Sequence, residues 1–270
     1  MDERGKKTGG VGGSDIKAVT AEIICDRFSG KGWLRTSAHL PGEMALAIYL
    51  NQQKLVTILC TPIKLNYLVF GFLYAEGIIS NISDVKMMRI CEDDSLADVR
   101  LTNPEYELPA QRTITSGCGG GSVFKADGQY VDSSLVITPI EVLSLMKQLQ
   151  DKMELYRLGG GVHTSALSDN RNLLVVAEDI GRHNTFDKVQ GECLVEGIST
   201  RDRLLFTTGR VSSEMLLKAA KMQAPVLVSR HSPTGSAVSL ARDLGIALVG
   251  HAHGGRFLVY SHPERLGRSS

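Results

Sequence analysis

The chain has almost no surplus of charge, few aromatic residues and no long apolar run, and each lack closes off a class of function. Thirty lysines and arginines stand against twenty-nine aspartates and glutamates, a formal charge of +1. A general nucleic-acid binder carries a basic excess, so no nucleic acid is expected as partner, and any anion must be met by a local patch. No apolar stretch approaches the roughly 18 residues of a membrane span, so no membrane is expected either. The five cysteines (25, 60, 91, 118 and 193) form an odd set without one Cys-x-x-Cys. With no secretory h-region ahead of them, they argue against a disulfide framework or a zinc ribbon and fit a cytoplasmic protein. With 43% hydrophobic residues over 270 positions, the chain can bury a sizeable core.

Changes of texture along the chain divide it into four parts. Residues 1–14 (MDERGKKTGGVGGS) form a polar, glycine-rich stretch with too little apolar surface to pack, read as a flexible tail. Residues 15–112 read as a β-rich N-terminal domain with one main helix. Within them, Met44–Leu50 and Leu55–Leu59 flank Asn51-Gln52-Gln53 as a hairpin. Thr61-Pro62 is placed as the cap and first residue of a helix stopped at Gly77, and runs at 86–91 and 98–101 add strands. Residues 113–137 are a glycine loop and connection. Residues 138–270 read as an α/β domain opened by the capping box Thr138-Pro139-Ile140-Glu141, whose helix runs to Gly159-Gly160-Gly161. Four short apolar runs follow, Leu173–Ala177, Leu204–Thr207, Val226–Ser229 and Ala247–Gly250, separated by helical segments. All-apolar strands alternating with helices predict a buried, largely parallel sheet.

Polar residues cluster where those strands end. Glu178-Asp179-Ile180-Gly181-Arg182-His183 follows the first, Thr208-Gly209-Arg210 the second, Arg230-His231 the third and His251-Ala252-His253-Gly254-Gly255-Arg256 the fourth. Ligands of open α/β sheets bind at the carboxyl ends of strands. Arginine forks, glycines and helix N-termini together suit phosphate oxygens, so a nucleotide-like polyanion is the expected ligand. Ser213 and Ser236 can serve there as ordinary caps. Glu178 and Asp179 either orient Arg182 or meet a base edge. The histidines 163, 183, 231, 251 and 253 have no carboxylate or thiol at ligand spacing, and no metal is predicted.

Among the thiols, Cys118 differs. Cys25, Cys60 and Cys91 lie in or beside apolar runs and Cys193 near a helix end, whereas Cys118 has glycine on both sides in Thr115-Ser116-Gly117-Cys118-Gly119-Gly120-Gly121-Ser122. Backbone amides of such a turn can stabilise a thiolate, and small neighbours leave room for an attacking disulfide or persulfide. Cys118 is therefore the candidate nucleophile.

Seven ordered blocks carry a resemblance: CTP…GFLYAEGII (Cys60 to Ile79), TSGCGGGS, GGGVHTSAL (159–167), EDIGRHNTFDKVQG (178–191), TTGRVSSEM (207–215), SRHSPTGSA (229–237) and LGIALVGHAHGGRFLVY (244–260). Over about residues 40–262 the sequence resembles the formate dehydrogenase accessory sulfurtransferases, the FdhD family. The resemblance implies a cytoplasmic homodimer whose larger domain is similar in fold to cytidine deaminases. It implies a sulfurtransferase that takes sulfur from a cysteine desulfurase as a persulfide. The sulfur then passes to bis-molybdopterin guanine dinucleotide, the molybdenum cofactor of formate dehydrogenase, with GDP as a mimic of the bound cofactor. Cys118 matches the persulfide cysteine, and His251, Ala252, His253, Gly254, Gly255 and Arg256 match the cofactor-binding stretch after the last strand. Arg182, His183, Arg210 and Arg230 join them from the strand-end reading, with His183 or His231 as proton shuttle. Many members carry Cys-x-x-Cys where this chain has Cys118-Gly119-Gly120-Gly121. The single thiol keeps a cofactor chaperone without sulfur transfer as the alternative, and a cysteine hydrolase as a third reading.

Overall fold

Turn chemistry builds the first half of the fold. A computed structural model describes residues 19–106, 113–114, 122–123 and 129–268. The expected tail and Cys118 lie outside them. Thr20–Ser29 (β1) and Gly32–Pro41 (β2) pair antiparallel as a long ribbon, Phe28 opposite Trp33. Met44–Leu50 (β3) and Gln53–Cys60 (β4) form the expected hairpin. Its turn residues Asn51 and Gln52 both adopt positive φ, 46° and 73°, the twist that two-residue hairpins favour. Val85–Cys91 (β5) and Leu96–Leu101 (β6) complete a sheet of order β4-β3-β6-β5, and Thr113–Ile114 (β7) pairs with Ser122–Val123 (β8).

The first helix, Leu65–Ala75 (α1), starts three residues later than the Thr61-Pro62 expectation, with Lys64 left-handed at its head and no side-chain cap. The reason is that Thr61 is engaged elsewhere. It is fully buried, its hydroxyl accepts from Ile180 N at 3.1 Å, and its own N–H donates to Asp179 Oδ2 at 3.1 Å. Thr61 thus ties the first half of the chain to the second.

In the second half, the Thr138–Glu141 capping box opens Pro139–Asp151 (α2) as expected. The chain then breaks at Lys152-Met153, and a separate short helix, Glu154–Gly159 (α3), reaches the glycines. There follow His163–Ser168 (β9), Leu173–Asp179 (β10), Arg182–Glu196 (α4), Leu204–Thr207 (β11) and Ser213–Lys221 (α5). Val226–Ser229 (β12), Gly235–Asp243 (α6), Ala247–His253 (β13) and Arg256–Val259 (β14) complete the order.

The resulting six-stranded sheet, β10-β9-β11-β12-β13-β14, is mixed rather than largely parallel. Only β11, β12 and β13 pair in parallel, while β9 lies antiparallel between β10 and β11 and β14 antiparallel at the edge. The four strands read from the sequence nevertheless point the same way, because β9 runs against both its neighbours. Alternation inside their apolar runs buries both faces. Leu205, Leu227 and Leu248 pack under α4, α5 and α6, and Leu204, Phe206, Val226 and Val228 pack against α2.

The two sheets meet through a helix pair, α1 on α4. A Cβ at Gly71 would overlap the backbone carbonyl of Asp187, and one at Gly191 the backbone carbonyl of Tyr67. Both positions need glycine because backbone meets backbone there.

Candidate functional site

Four co-directional strands place their carboxyl ends on one edge, and the helices α4, α5 and α6 begin at that edge. Arg182 and His183 follow β10, Arg210 follows β11, Arg230 and His231 follow β12, and His251 to Arg256 belong to β13 and β14. From β10 to β14 the row crosses five inter-strand steps, roughly 24 Å at about 4.8 Å each. Three helix N-termini add positive potential to it. Their caps are Gly181, Ser212 and Thr234, the last two accepting from Met215 N and Ala237 N. Ser213 and Ser236, expected as caps, stand one and two residues too late.

The strand-end loops are bonded to one another. Ser229 Oγ donates to Gly209 O at 2.7 Å and accepts from His231 N at 3.0 Å. Gly209 N donates to Thr207 Oγ1 at 3.0 Å, Arg230 N to Thr207 O at 3.0 Å, and His251 N to His231 O at 3.2 Å. Buried hydroxyls therefore set the spacing of the loops and leave the arginine side chains outside the network.

At one end, Arg182, His163 and Gly209 form a tight corner. A Cβ on Gly209 would stand 2.9 Å from Arg182 Cβ and 3.5 Å from His163 Nδ1. Arg182 Nε is buried there without a hydrogen-bond partner among the described residues, an open donor that a ligand oxygen would satisfy. Burial, then the charges of Arg182 and His231, hold the His163 imidazole below its ordinary pKa, against the pull of Asp179. From the sequence His163 enters only as one of two candidate bases, with His183, in the cysteine-hydrolase reading, and is not placed at the phosphate edge. The signal for it is its place two residues after Gly161, which like Gly160 has positive φ, 69° and 65° respectively.

His183 lies half-buried, its Nδ1 3.4 Å from Glu214 Oε1. Burial first, then Lys218, Arg182 and His163, push its pKa down to about 3. It is neutral at physiological pH and too weak a base to shuttle a proton there, so the shuttle role cannot rest on His183. The remaining candidate, His231, is exposed.

At the other end, the stretch expected after the last strand is instead a hairpin. His253 pairs with Arg256 across Gly254 and Gly255, whose positive φ of 61° and 75° close a two-residue turn. His251 takes φ 54° at a register shift, so His251 and His253 lose the common face that an extended strand would give them. Ala252 is fully buried and offers the site only its backbone, whereas His253, Gly254, Gly255 and Arg256 are exposed.

The two carboxylates left open by the sequence both act internally. Glu178 caps α3, accepting from Leu155 N at 2.7 Å, Tyr156 N at 3.1 Å and Thr164 Oγ1 at 3.1 Å. Asp179 pairs with Lys188 at 2.6 Å, both side chains fully buried, and accepts from Gly181 N and Asn184 Nδ2 at 2.8 Å each. Through Gly181 and Asn184, Asp179 fixes the turn that presents Arg182.

Arginines, imidazoles and helix N-termini line the carboxyl edge of a mixed α/β sheet, the edge at which open α/β sheets bind ligands. The particular lineage follows from comparison. Residues 41–267 match the FdhD/NarQ family, and the chain belongs to it. It is 40% identical over 232 residues to the sulfur carrier protein FdhD of Bacillus subtilis (strain 168), covering 83% of this chain and 88% of that protein. It is 38% identical over 232 residues, with the same coverage, to the protein of that name in Staphylococcus aureus (strain JH9). A crystal structure described as a formate dehydrogenase accessory protein from Desulfotalea psychrophila superposes with a TM-score of 0.79 at 26% identity. It covers 92% of this chain and 99% of that one.

Proposed function

We propose that this chain is a sulfur carrier that serves formate dehydrogenase, transferring sulfur from a cysteine desulfurase through Cys118 to bis-molybdopterin guanine dinucleotide. The observation that carries the reading is the carboxyl edge. Its row of arginines spans several strands, as a ligand with two pyrophosphate-linked guanine nucleotides requires, and the curated relatives are named sulfur carriers. The donor step is a thiol exchange. Cys118 thiolate attacks the outer sulfur of the desulfurase persulfide, a new S–S bond forms, and the desulfurase cysteine leaves as thiolate. In the second step the outer sulfur passes to the molybdenum of the bound substrate as a terminal ligand. The S–S bond breaks, Cys118 leaves as thiolate and the metal supplies the two electrons. Arg182, Arg210, Arg230 and Arg256 grip the phosphates, and Gly254-Gly255 lets backbone approach them. His231 is the proton shuttle.

We place this protein in the cytoplasm as a homodimer, with a cytidine deaminase-like larger domain over 138–270. The β1–β2 ribbon supports the dimer: Ile24, Phe28, Trp33 and Leu34 are 66, 65, 74 and 55% exposed on two strands only, and such ribbons are marginally stable alone in water.

The decisive experiment is intact-protein mass after incubation with a cysteine desulfurase and cysteine, wild type against Cys118→Ala. A reducible gain of one sulfur atom in wild type alone supports the carrier. No gain in either, with GDP still bound, replaces it by a chaperone that holds the cofactor without moving sulfur, the reading that the single thiol of this loop favours.

A further inference from the structure

Strands β11 and β12 keep one register beyond the sheet. Leu204 to Thr207 pair with Val226 to Ser229, and after a break Val211 bridges Pro233 at the same offset. Between these pairings each chain segment contributes three residues, Thr208-Gly209-Arg210 on one side and Arg230-His231-Ser232 on the other. Thr234 N donates to Val211 O at 2.9 Å and closes the far end of the split. Arg210 therefore lies between two fixed points, and Arg230 directly follows one.

Two hydroxyls clasp the near end. Thr207 and Ser229 are the last pair of the ladder, and both are fully buried. Thr207 Oγ1 accepts from Gly209 N at 3.0 Å, and Ser229 Oγ donates to Gly209 O at 2.7 Å, so the glycine is held at its amide and at its carbonyl. Across the split, Thr207 O accepts from Arg230 N at 3.0 Å and Ser229 Oγ from His231 N at 3.0 Å. The chain of hydroxyls continues sideways. Ser165 Oγ lies 3.0 Å from Thr207 Oγ1 and 2.6 Å from Thr185 Oγ1, which donates to Arg182 O at 2.7 Å. Burying hydroxyls costs stability unless they are bonded. Here their bonds go to loop backbone and to one another, so they fix the loops rather than the sheet. The Arg210 and Arg230 guanidinium groups have no ion-pair partner among the described residues.

We infer that the Thr207–Ser229 clasp makes this split selective for a diphosphate: it holds Arg210 and Arg230 at one separation, so that a diphosphate engages both and a monophosphate only one. Thr207 and Ser229 are positioning residues that act through the two arginines. The inference rests on the reading of the arginine edge as a phosphate site. Neighbouring strands stand about 4.8 Å apart, so loops that leave them together offer two cations to adjacent phosphates of one ligand. A rigid frame makes the second contact intramolecular, an advantage that is lost when the spacing is free.

The test is calorimetric titration of the full chain with GDP and with GMP. Wild type is compared with Ser229→Ala, Thr207→Val and Thr207→Ser, each first shown by circular dichroism to be folded at the titration temperature. Wild type should bind GDP about tenfold or more tighter than GMP, the worth of one further arginine–phosphate contact. Ser229→Ala and Thr207→Val remove a hydroxyl without adding bulk and should narrow that ratio to about threefold or less. Thr207→Ser loses a buried methyl but keeps the hydroxyl, so it should melt below wild type yet hold the ratio within about twofold. A purely structural role would move the melting point and leave the ratio alone. An unchanged ratio in the hydroxyl-free variants, an equal loss in Thr207→Ser and Thr207→Val, or a wild type that binds GMP as tightly as GDP overturns the inference. Should Thr207→Val not fold, Ser229→Ala against wild type decides alone. A wild type that binds neither nucleotide up to about 1 mM overturns the phosphate reading of the edge and the inference with it, whereas GDP binding with unchanged ratios overturns the clasp alone.

Discussion

Replacing Lys188 by methionine tests the join between the two halves of the chain. Lys188 and Asp179 are both fully buried at 2.6 Å, and Lys188 also donates to Thr61 O at 3.0 Å and Glu178 O at 3.3 Å. Methionine keeps much of the volume and none of the charge. Asp179 would then retain its bonds from Thr61 N, Gly181 N and Asn184 Nδ2 but face no counter-ion. Breaking a buried pair on one side costs about 3–5 kcal/mol. At about 2–4 °C per kcal/mol for a domain of this order of size, the melting point should fall by roughly 6–20 °C. Asp179→Ala should cost at least as much, since it strands the ammonium and three donors together. In the double variant the stranded-charge penalty disappears, so its loss should be about 2 kcal/mol or more smaller than the sum of the single losses. Urea denaturation followed by circular dichroism measures all three. A Lys188→Met variant within about 1 kcal/mol of wild type, or strictly additive losses, would refute the reasoning. Because Asp179 also holds Gly181 and Asn184, the single variants should lose GDP affinity as well as stability.

At the helix pair, Gly71→Ala and Gly191→Ala force backbone apart and should each cost about 3 kcal/mol or more by overpacking. Gly160→Ala, with open space around it but φ of 65°, should cost about 1–2 kcal/mol; chemical denaturation ranks the three. His183 gives a pH test: its folded pKa of about 3 lies below its ordinary 6.5, so the unfolded chain binds the extra proton between those values and stability falls as pH falls through that window. The loss should reach about 2 kcal/mol at pH 5, and His183→Gln should flatten the melting-point slope between pH 7 and 5 (both pH limits approximate), leaving the like-signed share of His163. Arg210→Ala and Arg230→Ala should each weaken GDP by about 10-fold or more, with a shallower salt dependence of Kd than wild type. If the ribbon carries the dimer, Ile24→Lys with Trp33→Ser should give monomers by analytical ultracentrifugation while GDP binding stays unchanged.

What the sequence disclosed were features whose chemistry is local. The β3–β4 hairpin, the Thr138–Glu141 box and the four co-directional strands all follow from turn residues and apolar runs a few positions long. The arginine edge was legible for the same reason, since a common strand direction sends every following loop to one side. Features set by distant partners escaped. Thr61 has the composition of a helix cap, yet its hydroxyl and amide are taken by Ile180 and Asp179, more than a hundred residues away. β9 was missed because its six residues, His163 to Ser168, mix histidine, threonine and serine. Those hydroxyls point to neighbours: Ser165 Oγ lies 2.6 Å from Thr185 Oγ1 and 3.0 Å from Thr207 Oγ1. Insertion of this strand, together with the antiparallel edge strand β14, converts a largely parallel sheet into a mixed one.

Helix α4 shows why the polar block EDIGRHNTFDKVQG sits at the centre of the molecule rather than on its surface. Its fifteen residues extend from the arginine edge, at Arg182, to the opposite edge, near Gly197, about 22 Å of helix. An apolar helix between α1 and the sheet would pack as well, but it could slide or rotate with little penalty. Asn184, Asp187 and Lys188 each have one partner geometry, on Leu59, Lys218 and Asp179 respectively, so a rotation of even one residue breaks two buried ion pairs. Glycines 71 and 191 then permit a single close crossing with α1. Arg182 is the first residue of this locked rod, and its position at the carboxyl edge is fixed by contacts made up to nine residues further along the chain.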